Sequence, residues 1–224
     1  MMRFWPAAFI VMTCAMGTPA SAGVIRGILR VPADVSQSAP AANAYPGHAA
    51  ALPGNHMITR GLVNDAVIYL ESIPPAVNDA LATTAPPPPR LAQRDQTFAP
   101  RVVAVAAGGA VDFPNQDPIY HNVFSLSPIK RFDLGKYPKG SSRRVEFRKT
   151  GLVNVYCDIH SNMEAFIMVV PNRAYARPAA NGEFALPELP AGNYALKVWH
   201  PDLGTRTSTV EVPATGDVVV SLSY

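Results

Sequence analysis

The chain has 224 residues, 16% of them charged, and a formal net charge of +3. So small a charge is no polyelectrolyte footprint, which argues against nucleic acid as a partner. With 23 prolines, 15 glycines and no strongly helical stretch, the composition points to an all-β chain with long loops rather than a helical bundle.

Taken in order, Arg3, the apolar residues 4–16 and the small-residue site Ala20-Ser21-Ala22 read as a secretory signal cleaved after Ala22. Pro6 and Thr13 interrupt the apolar run. That run is too short to span a membrane, and no later run reaches spanning length. Export to the periplasm, the cell surface or the medium is therefore expected. Cys14 lies inside the leader, so the exported chain keeps Cys157 as its only cysteine and forms no internal disulfide.

Residues 24–31 alternate like a strand. Residues 32–60 show no period and are expected to be a loop or insertion. His48 and His56 fall there, where nothing fixes their geometry, so they read as solvated residues rather than ligands. Residues 65–71 form a second strand, which Pro74-Pro75 ends. Residues 73–90 read as linker, with Pro86-Pro87-Pro88-Pro89 as a stiff spacer.

Short strands then crowd together at residues 101–105, 110–113, 121–126, 143–147, 152–157 and 165–170. Gly108-Gly109 and the cluster Pro114-Asn115-Gln116-Asp117-Pro118 turn the chain between them. This spacing predicts a β-sandwich or barrel. Alternation points Val153, Val155 and Cys157 inward and sets Leu152, Asn154 and Tyr156 on the opposite face. Residues 165–170 are apolar on both faces, so both faces should be covered. The expected cover is the C-terminal region, where residues 183–186, 193–199, 207–212 and 218–224 read as further strands.

The chemistry concentrates in one stretch. Cys157, His160 and Met163 offer a thiolate, an imidazole and a thioether at three-residue spacing, and His121 offers a second imidazole at the start of a strand. A thiolate, two imidazoles and a weak thioether form the ligand set of a blue-copper electron-transfer site. Other readings fit less well. A closed zinc site wants a second cysteine or a carboxylate, and Asp158 is awkwardly close to Cys157 for both to bind. Cys157 as a nucleophile with His160 as base lacks a visible oxyanion hole or orienting acid. Haem attachment needs a second cysteine.

These residues resemble those of the cupredoxins, particularly the pseudoazurin and amicyanin kind. The likeness takes in Phe98, Pro100, Gly108, Val111, Phe113, Asn115, Asp117, the His121-Asn122-Val123 run and the Cys157 to Met163 loop. It implies a Greek-key sandwich over residues 91–171 holding one type-1 copper ion. His121, Cys157 and His160 would be equatorial ligands and Met163 the axial one. It also implies that Asn122 braces the ligand loop and that Tyr156 lies near an electron route. Ile159 stands where small cupredoxins usually carry proline, and Asp158 adds a negative charge beside the thiolate.

The C-terminal part resembles the carboxypeptidase regulatory-like, or transthyretin-like, β-sandwich. The likeness rests on Asn181-Gly182-Glu183-Phe184 and on residues 189–194, with Gly23-Val24-Ile25-Arg26-Gly27 and residues 66–70 fitting that family's opening. This implies one discontinuous sandwich, residues 23–72 with 172–224, and the copper unit inserted between its halves. Exported chains of this two-part kind are sometimes labelled methylamine-utilisation proteins. Lys130, Arg131, Lys136, Lys139, Arg143, Arg144, Arg148 and Lys149 crowd one stretch. They read either as ordinary solvated edges or as a docking face for an acidic redox protein. The expected function is single-electron transfer between a donor and an acceptor protein, without enzyme activity. Copper delivery or storage, and a binding module with a vestigial site, are the alternatives.

Overall fold

The computed structural model describes residues 22–32, 38–40, 57–59 and 62–224. Of the expected export leader, residues 1–22, all but Ala22, which opens the first strand, lies outside the described residues, as do the histidines His48 and His56. Within the described residues the fold is all-β, with one short α-helix and a 3-10 turn at Val63–Asp65.

The strands in order are β1 (Ala22–Arg30), β2 (Ser38–Pro40), β3 (Met57–Thr59) and β4 (Val67–Leu70), followed by helix α1 (Pro75–Thr83). Next come β5 (Ala92–Arg94), β6 (Thr97–Ala99), β7 (Val102–Ala106), β8 (Gly109–Pro114), β9 (His121–Ser125), β10 (Phe132–Tyr137), β11 (Ser142–Phe147), β12 (Gly151–Tyr156) and β13 (Glu164–Val170). The last five are β14 (Tyr175–Ala176), β15 (Glu183–Pro190), β16 (Gly192–His200), β17 (Gly204–Val212) and β18 (Val218–Ser223).

Strands β5 to β13 pair among themselves. A five-stranded sheet runs in the order β10-β9-β12-β13-β7, and β11 pairs with β8 in a second sheet. Period-two alternation sends Val153, Val155, Ile167 and Val169 from the first sheet, and Val111, Phe113, Val145 and Phe147 from the second, into one buried core. Each fully buried aliphatic side chain of that kind contributes about 1.5–3 kcal/mol.

The N-terminal strands belong with the C-terminal ones. β1 is the centre of the sheet β15-β1-β18, antiparallel to β15 and parallel to β18. β4 lies between β14 and β16 in the sheet β14-β4-β16-β17. Ile25, Leu29, Ile68, Leu70, Leu196 and Val210 meet in the core between these two sheets. Glycine at position 27 is demanded by packing: a Cβ there would lie 2.4 Å from the Val220 carbonyl oxygen and 2.8 Å from the Phe184 ring.

The outer face of β7 and β13 is covered as its two-sided apolar pattern requires. Val102, Ala104, Ala106, Met168 and Val170 pack against Val67 of β4 and Trp199 of β16. Beside this apolar layer Arg101 forms a two-pronged ion pair with Asp202, at 2.8 and 2.9 Å, and reaches Asp65 at 3.3 Å.

Several stretches depart from the sequence reading: β2 and β3 pair within the 32–60 stretch read as loop, and β5 and β6 form an unread hairpin. Part of the 73–90 linker is helix α1, with Pro75 in its first turn. The fixed φ of proline suits a helix start, and an Ala- and Leu-containing run continues it. Asn78 on this helix accepts the Arg173 backbone N–H at 3.0 Å. The stretch 132–137, left outside the strands of the sequence reading, is strand β10. Its partner β9 decides this by pairing Tyr137 with His121 and Phe132 with Ser125.

Candidate metal centre

Cys157 follows the last residue of β12, and Met163 immediately precedes β13. These strands pair without a register break from Gly151 opposite Val169 to Tyr156 opposite Glu164. The seven residues from Cys157 to Met163 therefore span a fixed gap. The Met163 N–H donates to the His160 carbonyl at 3.0 Å and tightens the loop into a turn. His121 opens β9, next to β12 in the sheet. One ligand-bearing strand thus lies beside the loop that carries the other three residues.

The side chains converge. One ligand atom from each of His121, Cys157 and His160 lies within 4.8 Å of the others. His121 Nδ1 is 3.1 Å from His160 Nδ1 and 3.9 Å from Cys157 Sγ. His121 and Cys157 are fully buried, Met163 is buried in the same core, and His160 is half-buried.

His121 Nε2 lies 2.7 Å from the Asp117 carboxylate. An ionised carboxylate only accepts, so the ring proton sits on Nε2, and Nδ1 presents a lone pair toward His160 and Cys157. A cation bound about 2.0–2.1 Å from two imidazole nitrogens at a tetrahedral angle separates those nitrogens by about 3.3 Å. A sulfur bound at about 2.3 Å then falls roughly 3.6–3.9 Å from a bound nitrogen, depending on the angle. The two spacings from His121 fit a single metal ion, while Cys157 and His160, within 4.8 Å of one another, would have to draw closer to share it. Two imidazoles, one thiol and a thioether at the mouth of the core favour a soft, one-electron metal over a hard one.

The groups supporting the ligands were mostly missed in the sequence. Asp117 is buried, and burial raises its pKa. Hydrogen bonds from the Gln96 N–H, His121 and the Asp95 N–H outweigh that effect and hold the carboxyl below its usual range. Asp117 is thus kept as the anion that orients His121. The sequence signals for Asp117 are its place four residues before the histidine and its part in the likeness, neither of which gives it this role. Tyr137, fully buried, donates to the Phe113 carbonyl at 2.9 Å and accepts from Gln93 Nε2. Burial pushes its phenol far up, so it remains neutral.

Asn122 does not make the expected brace. Its Nδ2 donates to Asp133 of β10 at 2.6 Å, while its Oδ1 is buried without a hydrogen-bond partner. Strand alternation is the reason: Asn122 follows the inward-facing His121, so it points to the opposite side of the sheet. Tyr156 packs on Phe124 on that same side, with ring centres 5.8 Å apart. Asp158 is 45% exposed and lies 3.8 Å from Lys136, so its charge is solvated and partly countered.

The basic stretch does not form one uncompensated face. Arg144 is paired with Asp112 at 2.6 Å and Arg148 with Glu146 at 3.3 Å, while Arg143 lies 5.8 Å over the Tyr137 ring. Lys136 lies on β10 and Arg143 and Arg144 on β11, and these strands belong to different sheets.

No helix among the described residues is long and apolar enough to cross a membrane. No protein-family model and no curated protein matches the chain. Solved structures similar to it include a copper-containing nitrite reductase from Thermus scotoductus. That match has 25% identity and a TM-score of 0.36, and covers 38% of this chain and 22% of that one. A purple cupredoxin from Nitrosopumilus maritimus matches at 18% identity and TM-score 0.34, covering 36% of this chain and 98% of that one. The Cu(I) form of an amicyanin variant matches at 18% identity and TM-score 0.35, covering 47% and 98%. The chain thus spans about a fifth of the nitrite reductase and nearly all of the two small copper proteins.

Proposed function

We propose that this chain is a type-1 copper protein that carries single electrons between redox proteins and is not itself an enzyme. The observation that carries this reading is the convergence of His121 Nδ1, Cys157 Sγ and His160 Nδ1 beside buried Met163. When bound, copper supplies a one-electron couple. His121, Cys157 and His160 hold it, with the Met163 thioether as a weak fourth contact.

The chain's own residues prepare the site for that task. The Asp117 carboxylate keeps the His121 proton on Nε2. Tyr137, Phe113 and Val155 in the core around Cys157 exclude water. His160, the half-buried ligand, is the contact toward solvent. Ile159 beside it, and Ile119 and Tyr120 just before His121, are exposed. They supply an apolar lip on which a partner protein can seat with little desolvation cost. The export signal read from residues 1–22 would place this exchange in the periplasm, and the discontinuous sandwich would be a carboxypeptidase regulatory-like unit.

The test is spectroscopic. Protein loaded with Cu(II) is expected to take up one ion, show an intense thiolate-to-copper band and give narrow copper hyperfine splitting. Cys157→Ser should abolish the band while the β-sheet circular dichroism remains. Copper uptake without the band would point to delivery or storage, and no uptake would overturn the copper reading.

A further inference from the structure

We infer that the β5–β6 hairpin is a clamp for the metal-facing imidazole, its turn gripping Asp117 so that Asp117 fixes the orientation and tautomer of His121. This rests on the reading of His121 as a ligand of the proposed copper site.

The hairpin turn is unusual in its residues. Asp95 and Gln96 both adopt positive φ, 55° and 54°. A two-residue turn of that handedness favours Asn-Gly or Gly-Gly, because a side chain at positive φ crowds its own backbone. Neither residue here is glycine, and both side chains are exposed, so burial of those side chains does not impose the conformation.

The backbone does. Two successive N–H groups in this conformation point to the same side and make a small anion-binding concavity. The Asp95 N–H donates to Asp117 Oδ1 at 2.6 Å, and the Gln96 N–H donates to Asp117 Oδ2 at 2.9 Å. Oδ2 is the oxygen that receives His121 Nε2. Strained backbone of this kind persists where surrounding structure over-determines it, and it clusters at functional sites.

A second anchor ties the same hairpin to the site. Gln93 of β5 is fully buried and donates from Nε2 to the Tyr137 hydroxyl. Tyr137 is the register partner of His121 across β10 and β9. The Gln116 N–H donates to the Gln93 carbonyl at 2.9 Å, and the Asp117 N–H to Asn115 Oδ1 at 2.9 Å. The hairpin therefore grips the loop before His121 at its backbone and at its carboxylate. Asp117 is a positioning residue, and residues 92–99 are the frame that positions it.

Ring-nitrogen NMR of His121 in the metal-free protein, together with Cu(II) affinity, tests the clamp. The unaltered protein should show a single Nε2–H tautomer. Asp117→Ala should mix the tautomers and weaken Cu(II) binding about 10–100-fold, the range typical when a ligand's outer partner is lost. Asp117→Asn keeps one acceptor oxygen for Gln96 and His121 but sets an NH2 against the Asp95 N–H, so it should restore the tautomer and only part of the affinity. Replacing both turn residues by glycine keeps the N–H groups and the handedness, so tautomer and affinity should not change. Replacing both by valine opposes positive φ and should reproduce Asp117→Ala. Retention of the single tautomer in Asp117→Ala overturns the clamp, as does identical behaviour of the glycine and valine pairs. Should the valine pair fail to fold, an altered tautomer in the glycine pair overturns it alone. A protein that takes up no copper, yet loses the locked tautomer on Asp117→Ala, keeps the clamp and loses the copper reading.

Discussion

Arg101→Ala is expected to destabilise the protein by about 3–5 kcal/mol near neutral pH, the range seen when one partner of a buried ion pair is removed. The Arg101 side chain is 13% exposed, against 16% for Asp202 and 5% for Asp65. Two unit charges about 4 Å apart attract by roughly 4 kcal/mol at an effective dielectric of about 20, and desolvation cancels part of that. The variant leaves two carboxylates to share the deficit. It also removes the guanidinium from above the Phe166 ring, whose centre lies 5.1 Å away.

The loss should depend on pH with a definite sign. Burial raises the Asp65 pKa above its ordinary value, and Arg101 is the largest influence opposing that rise. An acid with a raised folded-state pKa contributes stability at low pH that is lost as pH rises through the folded value. Without Arg101 that value moves higher still, so the variant's deficit grows from acid toward neutral pH. Urea unfolding at about pH 4.5 and about pH 7.5, with unchanged slope, measures it. A loss below about 1 kcal/mol at the higher pH would refute the reasoning, as would a loss larger at the lower pH. The copper band should not shift, because Arg101 touches neither His121 nor the 157–163 loop.

Two further substitutions probe the frame. Gly27→Ala should cost about 1–3 kcal/mol by overpacking, because the new methyl meets the Val220 carbonyl at 2.4 Å; an unchanged thermal midpoint would show that β1 and β18 yield freely. Tyr137→Phe should cost about 1–3 kcal/mol by stranding the Phe113 carbonyl and Gln93 Nε2. Denaturant unfolding measures it, and a neutral result would mean that water replaces the hydroxyl.

The convergence of His121, Cys157 and His160 is legible because soft donors at short spacing are rare and because strand alternation aims Cys157 inward. The two-sided apolar pattern of β13 likewise calls for a cover, which Trp199 and Val67 supply. What the sequence hid was set by partners distant in the chain. β10 reads as a turn until β9 pairs with it. The β5–β6 hairpin has no apolar alternation strong enough to announce strands of three residues. Asp117 looks like a turn residue because its two donors, its histidine and its burial come from three different segments. Asn122 has its expected role only through the likeness; its position after an inward-facing residue sends its side chain to the other side, onto Asp133.

The second sandwich bears on the site through β13. Met163 immediately precedes that strand, and the ligand loop can be no stiffer than its two anchors. On one face β13 contributes Ala165, Ile167 and Val169 to the core that contains Cys157. On the other, Met168 and Val170 are held against β4 and β16, and the Phe166 N–H donates to the Arg101 carbonyl at 2.9 Å. A strand packed on both faces has few rotamers left to explore. If the site exchanges single electrons as proposed, a cover on the far side of the sheet would limit reorganisation at the near side. In this chain that cover comes from strands before and after the β5–β13 unit, and the chain enters and leaves that unit along the face it stiffens.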